Sequence, residues 1–354
     1  MGIMRFEGEA LCDLPQIQEM PSPMDQPAYI SILGSEEKTV AWLEHLDGIG
    51  PPAVPTIVPE GEALIAALRD LDVPEDDIDP LVRLRRKITG SPDLTWLVER
   101  CVQSLLLHMD TVSWPPAFPK LPPEFGEIGR YLYAFVYAAL LPHTRALHRQ
   151  RGIPEAITQA TIADVGRHFL IHRDQHGAHG MSGADWLMVQ ARGLLFQIGR
   201  LQFERGRLGT STSRGIQAAG FACKKGDPVI SVHIPGHMGP MTSEACDDSF
   251  ARARPFFREH FPDESPALAL CHSWLLDDQL GEYLPETSNI IRFQQRFRFA
   301  CRPEPNNRPT LEFVFRTPDR PLDELPQRTT LERAVVRHLR DGKQWHGGVG
   351  WIVW

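Results

Sequence analysis

The apolar period changes once along this chain, and that change restricts the fold more than any other feature. Up to about residue 195 the apolar residues recur at helical spacing. In "TWLVERCVQSLLLHMD", for instance, Leu97, Cys101, Leu105 and the His108/Met109 position share one face. From Phe196 onward short strand-like runs take over: "FQIGRLQFERG", "AAGFACKKG", "PVISVHIP", "ALALCHSWLL", "SNIIRFQQRFRFAC" and "LEFVFR". Counted from Gly126, the expected order is two helices, three strands, a helix, a strand, a short helical "DDQLGEYLP" and two strands. Pro142 is expected to kink or divide the first of those helices. A chain of this order makes an α+β fold, a sheet with helices packed on its faces.

Proline marks the boundaries. The segment Pro51–Pro59 cannot be helical throughout, and "SWPPAFPKLPPEFG" (Ser113–Gly126) holds five prolines and reads as a linker. The expected organisation is a smaller helical N-terminal domain over residues 1–124 and a mixed-sheet domain over 125–354. Composition then removes several classes of function. A net charge of −8 gives no global attraction for nucleic acid or an anionic membrane surface, and no apolar run approaches the ~20 residues that span a bilayer. The N-terminus "MGIMRFEGEALCDLP" has no basic stretch followed by an apolar one, so a cytoplasmic protein is expected. Six scattered cysteines without a CxxC pair argue against a disulfide framework and against a zinc site.

The densest signal lies in "HIPGHMGPMTSEACDDSFARARPFF", His233 to Phe257: a strand end, a turn with two glycines, and a helix that Thr242 or Ser243 caps. Amide groups ahead of a helix N-terminus attract phosphate, and glycine lets the backbone come close. The same sequence also suits an ordinary corner between two elements, and both readings stand at this level.

The element order matches the Gcn5-related N-acetyltransferase (GNAT) fold, and "VHIPGHMGPMTSEACDDSFARARPFF" with "CHSWLLDDQLGEYLPETSNIIRFQQRF" resembles the GNAT-like domain of actinomycete N-acyltransferases. That family includes the acyltransferases of teicoplanin-type glycopeptide antibiotics, and the resemblance spans roughly residues 60–350. It implies a GNAT-like mixed sheet preceded by a helical domain, with acyl-CoA as co-substrate, no metal, and a glycopeptide amino sugar as acceptor. It further implies that Ile234, Gly236, His237, Met238 and Gly239 hold the coenzyme A pyrophosphate, and that Arg252, or Arg254 or Arg258, reaches its 3′-phosphate. His233 and Pro235 depart from the family's usual turn consensus.

Acyl transfer to an amine needs a base, histidine is the side chain whose ordinary pKa suits that role near neutral pH, and His233 stands at the strand end; a structural histidine bonded to a backbone carbonyl is the other reading. By the same resemblance Tyr283 protonates the departing sulfur, although "LGEYLPE" equally suits a packed helix end. Trp186, in "SGADWLMVQ", is either a platform for a sugar or aromatic acceptor or a core residue. Cys271 in "ALALCHSW" is expected to be a small core residue rather than a nucleophile, and "HRDQHGAHG" a mobile loop rather than a metal site. The leading functional reading is therefore direct N-acyl transfer from acyl-CoA to a glycopeptide amino sugar. A non-catalytic acyl-CoA-binding module, another amine acceptor and a carrier-protein donor remain as alternatives.

Overall fold

The computed structural model describes residues 37–53 and 58–354. The N-terminal stretch read above for a signal, with Cys12, and residues 54–57 of the Pro51–Pro59 connector lie outside the described residues.

Eight helices come first: α1 (Glu37–Gly48), α2 (Gly61–Asp70), α3 (Glu75–Thr89), α4 (Pro92–Leu107), α5 (Gly126–Gln150), α6 (Glu155–Ile162), α7 (Asp164–His176) and α8 (Ala184–Ala191). Local chemistry sets their ends. Ser91 caps α4 by accepting from the Leu94 N–H, with Pro92 at the first helical position, where its missing donor costs nothing. Helix α7 closes on Gly177, whose φ of 61° is the left-handed cap that glycine supplies freely. Helix α5 runs through Pro142 without a break; that residue is exposed, so the lost N–H falls on the solvent side.

These helices share one core, which runs from Trp42 on α1 to Met188 on α8. The core crosses residue 125 without interruption, because the proline-rich segment packs into it. Phe118 is 4% exposed and stacks on Tyr133 with centroids 4.9 Å apart. The Tyr133 hydroxyl donates to the Pro119 carbonyl at 2.7 Å. The segment expected to link two domains after residue 124 is therefore an integral strap of the helical unit.

The second unit is a six-stranded sheet: β1 (Leu195–Ile198), β2 (Leu201–Arg207), β3 (Pro228–His233), β4 (Leu268–Ser273), β5 (Arg298–Cys301) and β6 (Gly348–Val353). Its spatial order is β1-β2-β3-β4-β6-β5. All neighbours are antiparallel except β3 and β4, which run parallel. Helix α9 (Thr210–Ala218) precedes β3, α10 (Ser243–His260) connects β3 to β4, and α11 (Asn289–Gln294), α12 (Asn307–Phe315) and α13 (Thr330–Arg340) follow β4. Phe250, Phe256 and Phe257 of α10 bury one sheet face against Phe196, Phe203, Ile230 and Val232, as a parallel pair needs a covering crossover.

Three expected strands take other forms. "AAGFACKKG" is the end of α9 followed by irregular backbone, "LEFVFR" lies almost wholly in α12, and "SNIIRFQQRFRFAC" divides into α11 and β5. The Asn306 side chain caps α12 and overrides the β-favouring Phe and Val behind it.

One irregularity in the sheet positions the site. The β3–β4 pairing stops at Ser231 with Leu270, although both strands continue. Past that point His233 remains paired to Gln202 of β2, and Cys271 to Gly350 of β6. The two central strands thus part company at their C-terminal ends while each stays anchored on its outer side.

Candidate active site

The parted strands open into a cavity of about 1450 Å³ between the helical unit and the sheet. Val232, His233 and Ile234 line it from β3 and its extension; Cys271, His272 and Ser273 line it from β4. The helical unit contributes Trp186 of α8, His168, His172 and His176 of α7, and the proline-rich strap from Phe118. The segment around α12 supplies Phe313 and Arg316.

His233 has a specific partner. Its Nε2 lies 2.8 Å from Oε2 of Glu204 on β2, a residue only 8% exposed. A carboxylate accepts hydrogen bonds only, so Nε2 carries the proton and the lone pair is left on Nδ1. The edge of the Trp186 indole meets the imidazole with ring centroids 4.8 Å apart and an interplanar angle of 70°. Across the opening, burial and the nearby His233 keep the His272 imidazole below its usual pKa, so it is neutral near pH 7. The arrangement is a carboxylate-oriented imidazole with a free nitrogen, which is general-base geometry.

Glu204 is the residue of this constellation that sequence reading missed. The only trace in the sequence was "LQFERG", where Gln202 and Glu204 alternate with Leu201 and Phe203. Strand alternation puts Gln202 and Glu204 on one face, and register places Gln202 directly opposite His233. Gln202 lines the cavity, is 1% exposed, and its Nε2 has no hydrogen-bond partner.

Cys271 also lines the cavity, yet it is 1% exposed, and burial pushes its thiol up to about 12. A thiol so far from ionisation is a poor nucleophile at neutral pH. The histidine-rich stretch is largely helical rather than loop. His168, His172 and His176 follow the four-residue spacing of one face of α7, and His168 and His172 are fixed to the carbonyl and hydroxyl of Ser182. Among the described residues no His, Cys, Asp or Glu group has an arrangement that could hold a metal ion.

The turn after β3 is held from two sides. Arg200 donates to the Pro235 carbonyl (3.0 Å) and the Gly239 carbonyl (3.1 Å), and His237 pairs with Asp174 of α7 at 3.1 Å. His237 and Gly239 adopt left-handed backbone, with φ of 56° and 73°. Gly236 and Ile234 face the cavity; His237, Met238 and Gly239 lie outside its lining. At the start of α10 the Glu244 carboxylate accepts from its own N–H and from Thr242, which holds it below the usual carboxylate range. The next amide, that of Ala245, donates to the Thr242 hydroxyl at 3.2 Å, the cap expected for this helix.

Two expected residues stand elsewhere. Tyr283 does not line the cavity: its hydroxyl bonds Nδ1 of His338 at 3.0 Å and its ring faces Trp345, in the small core that α13 builds. The segment after β4 folds away from the strand ends and carries the tyrosine with it. Arg252 sits on the solvent face of α10, paired with Asp248 one turn earlier at 3.2 Å.

Comparison with known proteins agrees with this architecture. Residues 62–193 match the N-acyltransferase N-terminal domain model, and residues 195–352 match the GNAT-like C-terminal domain model. Among solved structures, an acyltransferase in complex with decanoyl-CoA and teicoplanin is 40% identical, with a TM-score of 0.83. An acyltransferase in complex with CoA and 10C-teicoplanin is also 40% identical, with a TM-score of 0.84. A mutant acyltransferase in complex with octanoyl-CoA gives the same two values. Each match covers 93% of this chain and 99% of the other. No curated protein matches the chain.

Proposed function

The chain belongs to the GNAT-like N-acyltransferases, and from that premise we propose that it moves a medium-to-long fatty acyl group from acyl-CoA to the glucosamine amine of a teicoplanin-type glycopeptide. The observation that carries this reading is the Glu204–His233 couple at the mouth of the parted β3 and β4 strands, on the wall of the cavity between the helical unit and the sheet. Relatives crystallised with acyl-CoA and with teicoplanin support the two substrate classes.

The chemistry follows from the placement. The pantetheine arm lies in the opening between the strands, where β3 and β4 no longer pair with each other past Ser231 and Leu270. His233 takes a proton through Nδ1 from the acceptor amine, and Glu204 stabilises the imidazolium that results. The amine nitrogen attacks the thioester carbonyl; a C–N bond forms, the C–S bond breaks, and the departing thiolate takes up, through solvent, the proton that the His233 imidazolium gives back, which returns the imidazole to its neutral form. No enzyme-bound acyl group is involved, in keeping with the buried, protonated Cys271. Tyr283, bonded to His338, has no part in this scheme.

The acyl chain has its own drive into the apolar part of the cavity, about 0.8 kcal/mol per buried CH₂. No helix among the described residues is long and apolar enough to cross a membrane. Five free cysteines among the described residues support the cytoplasmic location that completes this reading. The testing experiment is a panel of acyl-CoA donors against amine acceptors, read by free thiol release. The proposal expects release that depends on the glycopeptide and rises with chain length; affinity for acyl-CoA without release indicates a binding module instead.

A further inference from the structure

Arg316 follows the last turn of α12 and is the residue on which that helix ends, in left-handed backbone with φ of 62°. Its guanidinium lines the cavity and makes no ion pair or side-chain hydrogen bond among the described residues. It lies directly against the turn after β3. A Cβ built on Gly236 would stand 2.9 Å from Nη2 of Arg316, so the glycine leaves the room that the guanidinium uses. The Gly236 N–H is also without an acceptor among the described residues, and the trans peptide directs it away from the Pro235 carbonyl that Arg200 holds. Two donors, one of them charged, thus stand side by side at the rim of the cavity.

At the neighbouring helix terminus the Ala245 N–H is already taken by the Thr242 hydroxyl, and an acidic residue, Glu244, stands in the first turn. A dianionic group approaching this turn in an acidic chain needs a cation, and Arg316 stands against Gly236 with no acid paired to it among the described residues, whereas Arg200 is held by the Pro235 and Gly239 carbonyls. We propose that Arg316, with the Gly236 N–H, binds a phosphate of the acyl-CoA donor, so that the segment between β5 and β6 adds a charged group beside the turn. The proposal rests on the donor assigned above and adds a residue that neither the turn nor α10 contains.

The test is calorimetric titration of the full chain, wild type, Arg316→Gln and Arg316→Lys, with coenzyme A, 3′-dephospho-coenzyme A, 4′-phosphopantetheine and the glycopeptide acceptor, alongside thermal melts. Loss of a charge-assisted pair to phosphate is expected to weaken coenzyme A binding about ten- to a hundredfold in Arg316→Gln, with partial recovery in Arg316→Lys. Acceptor affinity and melting temperature should stay at wild-type values. If the arginine holds the 3′-phosphate, wild type and Arg316→Gln should bind 3′-dephospho-coenzyme A equally. If it holds the phosphates nearer the pantetheine, the loss should persist with 4′-phosphopantetheine. Unchanged coenzyme A affinity in Arg316→Gln overturns the inference, as does a loss confined to the acceptor. Failure of the wild type to bind coenzyme A at all counts instead against the functional reading on which the inference rests.

Discussion

Glu204 Oε2 stands 2.8 Å from His233 Nε2, and the carboxylate is the more buried of the two, with side-chain exposures of 10% and 25%. A buried acceptor that fixes one nitrogen of an accessible imidazole leaves the other to act as base. His233→Ala should lower kcat by about 10²- to 10⁴-fold while donor affinity stays near wild type, and the acidic limb of the pH–rate profile should disappear. Glu204→Gln should also lower kcat, because an amide neither fixes the tautomer nor stabilises the imidazolium. Steady-state kinetics with coenzyme A titrations check both; wild-type turnover in His233→Ala returns that residue to a structural role.

Trp186 meets His233 edge-on and faces the cavity. Trp186→Ala should therefore change acceptor KM or the preferred acyl length while circular dichroism shows the fold intact. Unchanged kinetics across a series of donors and acceptors would show that the indole only packs.

Cys271 should be dispensable. Its thiol is buried and held far above its ordinary pKa by that burial. Cys271→Ala should retain transfer, and intact-mass spectrometry of the wild type mixed with donor alone should show unmodified protein. An acyl adduct that chases into product would replace direct transfer with a covalent route.

The residues that sequence reading located best are those whose type and position carry the same message. The strand end at His233 ahead of a glycine turn is one case, since β3 closes on that residue, and the period change near Phe196 is another; β1 begins at Leu195. Glu204 was hidden because its meaning depends on register: only the β2–β3 pairing brings its side chain to His233. Register comes from tertiary packing rather than local spacing. The proline-rich strap misled for a related reason. Proline content reports a lack of regular hydrogen bonding, whereas the burial of Phe118 between Trp42 and Tyr133 is a long-range fact. The closing strand β6 passed unread, and "LEFVFR" has the composition of a strand, whereas the Asn306 cap starts a helix there.

His148 supplies an acid limb to stability. Burial, and then Arg145, lower its pKa to about 4 from 6.5, and Thr158 bonds its ring at 3.0 Å. Below pH 6.5 the unfolded chain takes up a proton that the folded one refuses, so stability falls as pH drops from 6.5 towards 4. The full effect is about 3 kcal/mol. Denaturant titrations of wild type and His148→Gln between pH 7 and pH 4 should show a shallower decline in the variant; parallel curves would mean that other groups govern the acid limb.

The central claim is transfer to the amino sugar of a glycopeptide by the Glu204–His233 couple. It is tested most directly by mass spectrometry of products formed from decanoyl-CoA and a glucosamine-bearing teicoplanin core, with fragmentation to place the new acyl group. The account predicts one decanoyl group on the glucosamine nitrogen, free coenzyme A in equal amount, and loss of both products in His233→Ala. Acylation of a small free amine with none of the glycopeptide, or equal product from His233→Ala, would contradict it.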